Sequence, residues 1–374
     1  MTWVIPPELE LAVYAAARTV VGDDRLATAA LTRAVVDRSK RYTSDRERLA
    51  APADPRADLA ARAAFFTIAD AIKIAIPLGE LSGRGALPAR RPLRIVDLGA
   101  GCGAMSLGAI ATLDAALEIV AIDRDSDALR IADVALRDLA ERRGRTVTVK
   151  IQPNDVATAA IPTADLIVLG TVLNELPAAQ RLPLVLRALA SLADDGAVII
   201  IEPALRETSR AVHELRDALI LGHHANVFAP CTRTCAPCPA LANPDDWCHE
   251  DRAVQLPPRT AELARLTHLR DGGLKLSYLV LRRQPLPLVE QSGAWRIVSA
   301  PMPGKGKLEI VGCSDAGRVP IRLLRRHRSD ANRAFERARR GDVVVTDVAP
   351  DDDRLELERE SKLDRIEPAN KTAG

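Results

Sequence analysis

Two stretches carry residue types and spacings that can do chemistry. The first, Leu93–Gly103, reads LRIVDLGAGCG. Its short apolar run around Asp97 ends in Gly99-x-Gly101-x-Gly103, the pattern of a buried strand that turns sharply into a helix. Glycines there permit backbone angles that a side chain forbids, and they let a ligand lie close against the main chain. The free N–H groups of the following helix then point at that ligand. The chemistry implied is the binding of a nucleotide-like cofactor. The second stretch reads FAPCTRTCAPCPALANPDDWCHE and holds Cys231, Cys235, Cys238 and Cys248, four of the six cysteines, spaced C-x3-C-x2-C-x9-C. Thiols gathered this closely point to a metal, because leaving them free invites oxidation. Zinc would take four thiolates, or three with His249. An iron–sulfur cluster would take four cysteines that need not be contiguous.

The elements that position these stretches follow from the pattern. Residues 1–90 read as helical: Pro6-Pro7-Glu8 starts a helix over Leu9–Val20, with further helices expected over Asp24–Arg38 and Pro55–Leu81. The linker SGRGALPARRP, Ser82–Pro92, marks a boundary. From Leu93 strands and helices alternate. Strands are expected at Leu117–Ile122, Val147–Ile151, Ala164–Leu169 and Ala197–Ile201, with helices at Ser126–Arg142 and Pro183–Leu192. Such alternation predicts a doubly wound α/β sheet with ligands at the carboxyl ends of its strands, where Asp123, Asp155, Asn174 and Glu202 fall. A helix over Arg206–Leu221, a metal loop over 222–257, a short helix over Thr260–Leu266 and a strand over Leu274–Arg283 complete a domain of residues 91–285. Short strands at Trp295–Ala300, Lys307–Cys313, Val319–Leu324 and Asp342–Val348 predict a small β domain over 286–349, and the charged tail 350–374 reads as disordered.

Composition bounds the function. A chain of 374 residues with 47% hydrophobic content buries a large core, and a net charge of +2 gives no global field for nucleic acid. Aromatics at 3% argue against base stacking on exposed rings. The start MTWVIPPELE lacks a secretory pattern, and no uncharged apolar run is long enough to span a membrane. A cytoplasmic, monomeric protein is expected, with thiols or metal ligands rather than disulfides.

Asp97 before the first glycine and Gly103 as the third give a motif that resembles the first motif of class I S-adenosylmethionine (SAM)-dependent methyltransferases, with their Rossmann-like doubly wound sheet. A dinucleotide enzyme is the competing reading, since Gly99-x-Gly101-x-x-Ala104 formally fits its pattern. Asp123 can accept hydrogen bonds from ribose hydroxyls in either case. The methyltransferase resemblance puts Asp97, Gly99, Gly101, Gly103, Asp123, Asp155 and Asn174 at the cofactor, with Asp155 at the adenine amino group. Asn174 and Glu175 in LNEL either face the transferred methyl or cap the next helix. No Asn-Pro-Pro-Tyr motif is present and no cysteine stands at the usual nucleophile position, so no catalytic residue is assigned. The thiol spacing also fits radical SAM enzymes, but there it follows an early strand of a different barrel.

The whole constellation resembles a narrower family, the methyltransferase-like assembly proteins of the small ribosomal subunit. The matching residues are VDLGAGCGAMSLGA at 96–109, LNEL at 173–176, Glu202-Pro203, APC at 229–231, PCP at 237–239, DWCH at 246–249, SYLVLRR at 277–283, and Trp295-Arg296-Ile297 before Cys313. The resemblance implies a 4Fe-4S cluster on Cys231, Cys238, Cys248 and Cys313, and the small subunit and its rRNA as partners. Cys235 is an extra thiol that can stand in for Cys231, Cys102 reads as a small buried residue, and zinc remains the alternative metal. A basic stripe formed by Lys305, Lys307, Arg322, Arg325, Arg326, Arg328, Arg333, Arg337, Arg339 and Arg340 suits phosphate contacts. Three functions stay open: an rRNA methyltransferase of subunit assembly, a non-catalytic assembly factor on the same fold, and a small-molecule methyltransferase with a structural zinc.

Overall fold

The computed structural model describes residues 2–44, 52–270, 273–290, 292–351 and 353–366. Strand β1 (Trp3–Val4) precedes the helices α1 (Pro7–Val21), α2 (Thr28–Ser44), α3 (Pro55–Ala61), α4 (Ile68–Ala71) and α5 (Ala75–Gly83). The single helix expected over Pro55–Leu81 is in fact broken. A π turn over Arg62–Thr67 and a 3-10 turn over Ile72–Ile74 interrupt it. The π turn is wider and the 3-10 turn tighter than an α turn, so each changes the direction of the side chains that follow.

The central domain alternates β2 (Leu93–Leu98), α6 (Ala104–Thr112), β3 (Leu117–Asp123), α7 (Ser126–Arg142), β4 (Val147–Pro153), β5 (Ala164–Gly170), α8 (Ala178–Ala190), β6 (Leu192–Pro203) and α9 (Arg206–Leu221). After it come β7 (Asn226–Ala229), β8 (Glu250–Arg252), β9 (Val254–Gln255), α10 (Pro258–Thr267) and β10 (Leu274–Arg282). The sheet order is β4-β3-β2-β5-β6-β10-β7, with β8 also on β10. Strands β4, β3, β2, β5 and β6 run parallel, and β10 lies antiparallel between β6 and β7. A parallel sheet with one reversed strand inserted near an edge is the class I methyltransferase fold.

Both faces of the sheet are covered, which is why its strands read as nearly continuous apolar runs. Leu93, Ile95 and Ile119 pack toward α1, α6, α7 and the other N-terminal helices, while Val96, Leu98 and Ile122 pack toward α8 and α9. Helix α8 begins five residues before the expected start at Pro183. That proline sits inside the helix on its exposed side, where it removes one backbone N–H bond.

The second sheet holds β11 (Ala294–Ile297), β12 (Met302–Gly304), β13 (Lys307–Ser314), β14 (Gly317–Leu324), β15 (Val343–Thr346), β16 (Leu355–Leu357) and β17 (Leu363–Ile366), with the short helix α11 (Ala334–Arg337) against it. Its order is β16-β14-β13-β11-β15-β17, with β12 paired to β13. This corrects the expectation of a disordered tail from residue 350. Leu355, Leu357 and Leu363 are buried beside Trp295, Ile321 and Phe335. Charged neighbours dilute these leucines in the composition, but the two-residue spacing of Leu355 and Leu357 is that of a strand with one buried face. Residues 367–374 lie outside the described ones. Among the described residues, no helix is long and apolar enough to cross a membrane.

Candidate functional site

The glycine loop closes β2 onto α6. Gly99 and Ala100 donate their N–H groups to the Ile122 carbonyl at 2.7 and 3.1 Å. Gly99, Gly101 and Gly103 take left-handed φ values of 73°, 51° and 86°. A side chain at Gly99 would meet Val172 Cγ2 at 2.4 Å, so the turn after β5 lies directly against this loop. That turn is itself forced: Thr171 holds a φ of 64°, uncommon for a β-branched residue.

The predicted cofactor residues gather at the carboxyl ends of β2, β3, β4 and β5, but they differ in what they face. Asp97 is buried, and its Oδ2 accepts from the Ser106 hydroxyl at 2.6 Å and the Ser106 N–H at 3.2 Å. Burial pushes its carboxyl up to about 6. Asp97 therefore ties the strand end to α6 beneath the loop. Asp123 accepts the Gly101 N–H at 2.8 Å through Oδ2 and the Asp125 N–H at 2.9 Å through Oδ1. Asp155 is exposed and closes its own turn by accepting the Ala157 N–H at 2.8 Å.

Asn174 stands in a chain of hydrogen bonds. Its Nδ2 donates to Glu202 Oε2 at 2.5 Å, and its Oδ1 accepts from the Tyr42 hydroxyl at 2.7 Å. Glu202, fully buried, also accepts the Val172 and Leu173 N–H groups at 3.1 and 2.8 Å. A cavity of about 140 Å³ opens beyond this turn, lined by Asn174, Glu202, Arg181, Thr208, Val212 and Leu215. Tyr42 lies 132 residues before Asn174, and nothing in the local sequence links them.

Burial moves the Glu202 carboxyl from 4.5 to about 7. The native state thus holds this proton more tightly than the unfolded chain. The stabilisation is full below about 4.5 and is lost as pH rises through about 7, on the order of 3 kcal/mol in all. Burial moves His213 the other way, down to about 4, so its contribution is lost as pH falls from 6.5 toward 4. Comparing urea midpoints of the natural chain and Glu202→Gln between pH 4 and 8 isolates the first effect. The variant is expected to lose less stability over that rise, and parallel profiles would contradict it.

Cysteines of the loop and of the second sheet line a common cavity. Cys231, Cys238, Cys248 and Cys313 line one cavity of about 50 Å³ together with His213 and Arg318. Cys235 is exposed outside it, its thiol 3.5 Å from Asp315 Oδ1, and Cys102 is buried in the glycine loop. Burial and the neighbouring thiols push Cys238, Cys248 and Cys313 upward, Cys313 to about 12. Among the described residues, no three His, Cys, Asp or Glu side chains converge as a single metal ion requires.

Helix α9 holds this loop by its backbone. Arg210 donates to the carbonyls of Asn243 and Asp246 at 2.8 and 2.9 Å, and Asp217 accepts the Cys238 N–H at 2.7 Å. His213 Nε2 accepts the Cys248 N–H at 3.0 Å, which requires the neutral ring that burial favours. Arg216 donates to the carbonyls of Arg233 and Cys235 at 3.1 and 3.0 Å. Residues 210, 213 and 217 share one helical face, and this spacing was a readable signal. The opposite face, Val212, Leu215 and Leu219, is core.

Arg296, directly opposite Cys313 in the β11–β13 pair, reaches back to the first domain. It donates to Glu80 at 2.6 Å, Glu250 at 2.9 Å and the Tyr278 hydroxyl at 3.0 Å, all in a buried cluster. The basic stripe is partly spent inside the molecule. Arg322 pairs with Glu309 at 2.9 Å, Arg328 with Glu336 at 3.0 Å and Arg333 with Asp330, while Arg340 turns to the carbonyls of His249 and Val298 at the domain junction. Lys305, Arg325, Arg326 and Arg337 stay exposed with no acidic partner among the described residues, while Arg339 is exposed but turns its guanidinium to the carbonyls of Glu336 and Ala338.

The profile of a family described as mitochondrial small ribosomal subunit Rsm22 matches residues 74–344. No curated protein matches the chain. Among solved structures, a Pyrococcus horikoshii protein assigned provisionally to the RNA methyltransferases is 19% identical, covers 58% of this chain and 86% of its own, and has a TM-score of 0.34. Magnesium protoporphyrin IX methyltransferase from Synechocystis PCC 6803, solved with bound SAM, is 11% identical over 67% of this chain and 97% of its own, with a TM-score of 0.37. The strand order, rather than these likenesses, identifies the fold.

Proposed function

The chain belongs to the mitochondrial small ribosomal subunit Rsm22 family, and on that premise we propose that it binds SAM, carries a 4Fe-4S cluster and acts on the small ribosomal subunit during assembly. One observation carries the reading: three thiols of the cysteine loop and Cys313 of the second sheet line a single cavity at the domain junction.

The donor types at the two places are those each group takes: bare backbone and carboxylates at the glycine loop, and four thiols around one cavity. At the glycine loop, bare backbone at Gly101 lies under the Arg62 guanidinium, and Asp123 at the end of β3 can take ribose hydroxyls. In this reading Asp155 takes the adenine amino group. Asp97 is a positioning residue, because its hydrogen bonds go to Ser106. Bound SAM supplies a methyl group already activated for transfer, so the protein's part is to align an acceptor and exclude water. At the second site Cys231, Cys238, Cys248 and Cys313 would hold the cluster, with Cys235 outside. Four thiolates need cations nearby. The guanidinium of Arg216 is buried among these thiols and Arg318 lines the same cavity. His249 lines the same cavity, and its Nδ1 is buried without a partner among the described residues. The exposed cations Lys305, Arg325, Arg326, Arg337 and Arg339 supply the phosphate-binding part of the stripe.

A specific observation favours a second, non-catalytic reading. The Asn174 amide donates to Glu202 and accepts from Tyr42, which gives it a place in a structural hydrogen-bond chain. Sedimentation with immature small subunits and calorimetric titration with S-adenosylhomocysteine test the proposal. Co-sedimentation and binding are expected, whereas binding without sedimentation would point to a small-molecule enzyme. Transfer of labelled methyl to those subunits separates the catalytic reading from the non-catalytic one.

A further inference from the structure

Residues 1–73 lie outside the family match, yet they put a cation over the glycine loop. Arg62 opens the π turn of the N-terminal helices, and its side chain is only 23% exposed. Its Nη1 donates to Asp125 Oδ2 at 2.5 Å, two residues beyond Asp123. Its Nη2 lies 3.4 Å from where a Cβ on Gly101 would stand, over bare loop backbone. Apart from the bond to Asp125, its N–H groups find no acceptor among the described residues.

Other buried cations of the N-terminal helices are committed elsewhere. Arg38 and Arg41 pair with Asp58, and Lys73 pairs with Asp70. Among the described cations of these helices, Arg62 is the one whose guanidinium lies over Gly101. A guanidinium binds a carboxylate through two parallel N–H groups, and it does so more strongly when shielded from water. The N-terminal N–H groups of α6 favour a negative charge in the same place.

We infer that Arg62 binds the carboxylate at the amino-acid end of the cofactor, so that the N-terminal helices complete the cleft. This rests on the SAM reading above and adds a residue outside the matched region. The competing role is a latch, in which Arg62 only ties these helices to Asp125.

Calorimetric titration with two ligands separates the roles. S-adenosylhomocysteine carries the carboxylate, whereas 5′-methylthioadenosine has the same adenosine and thioether without it. Arg62→Met is expected to weaken S-adenosylhomocysteine about 10-fold or more and to leave methylthioadenosine unchanged. Arg62→Lys is expected to fall between the two. Asp125→Asn, which keeps a helix-capping side chain but breaks the ion pair, is expected to bind S-adenosylhomocysteine at least as tightly as the natural chain. Equal weakening of both ligands by Arg62→Met, no weakening of either, or an Asp125→Asn chain that behaves like Arg62→Met would overturn the inference. A natural chain that binds neither ligand would overturn the SAM reading itself.

Discussion

Replacing Arg296 with methionine is expected to destabilise the protein by about 3–5 kcal/mol and to loosen the second sheet from the first domain. The side chain is buried and joins four elements. It comes from β11 and meets Glu80 of α5, Glu250 of β8 and Tyr278 of β10. Methionine keeps much of the volume but leaves Glu80 buried without its cation and Glu250 with Arg252 alone, at 2.8 Å. That penalty, rather than the lost attraction, dominates. The same logic predicts a rescue. Adding Glu80→Gln and Glu250→Gln to Arg296→Met removes the stranded charges and is expected to recover much of the loss. Urea midpoints measure the first effect, and protease cleavage near residues 283–293 measures the second. Equal midpoints for the single variant and the natural chain would show that the junction does not depend on this cluster.

Losing the Cys313 thiol is expected to act on the same junction from the metal side. Cys313 and Arg296 face each other in the β11–β13 pair, so in the proposed reading a ligand on one and the ion cluster on the other would bind the same two strands to the first sheet. Metal sites that bring together separate elements couple ligation to folding. Cys313→Ser is therefore expected to free the second sheet and to abolish sedimentation with small subunits. Cys235→Ser removes a thiol that lies outside the cavity and is expected to change neither. A Cys313→Ser chain that keeps its cluster and its sedimentation would refute the clamp.

How much of this was legible in the sequence depends on the range of the interaction. The sheet was readable because its strands are buried on both faces and the glycine turn has a local signature. The tail strands were missed because Leu355, Leu357 and Leu363 sit among charged residues, and their burial depends on a core built from residue 295 onward. The π turn at Arg62–Thr67 carries no distinct composition, so the cation it aims at Gly101 was invisible. Tyr42 and Asn174 are 132 residues apart, and Glu80 and Arg296 are 216 apart. Contacts of that separation leave no periodicity behind. The arginine stripe was overread in part for the same reason, since Glu309 comes into range of Arg322 only when β13 and β14 pair, whereas Asp330, three residues from Arg333, was a local partner. For the cysteines, the family resemblance named four ligands and left Cys235 as an alternative to Cys231, and it is Cys231 that lines the cavity.

The central claim is a cluster shared by two domains, and iron and acid-labile sulfide per chain after anaerobic purification test it most directly. About four of each are expected in the natural chain and in Cys235→Ser, with an absorption band that bleaches on reduction, and almost none in Cys313→Ser. A single zinc per chain in place of iron, or full iron and sulfide retained by Cys313→Ser, would contradict it.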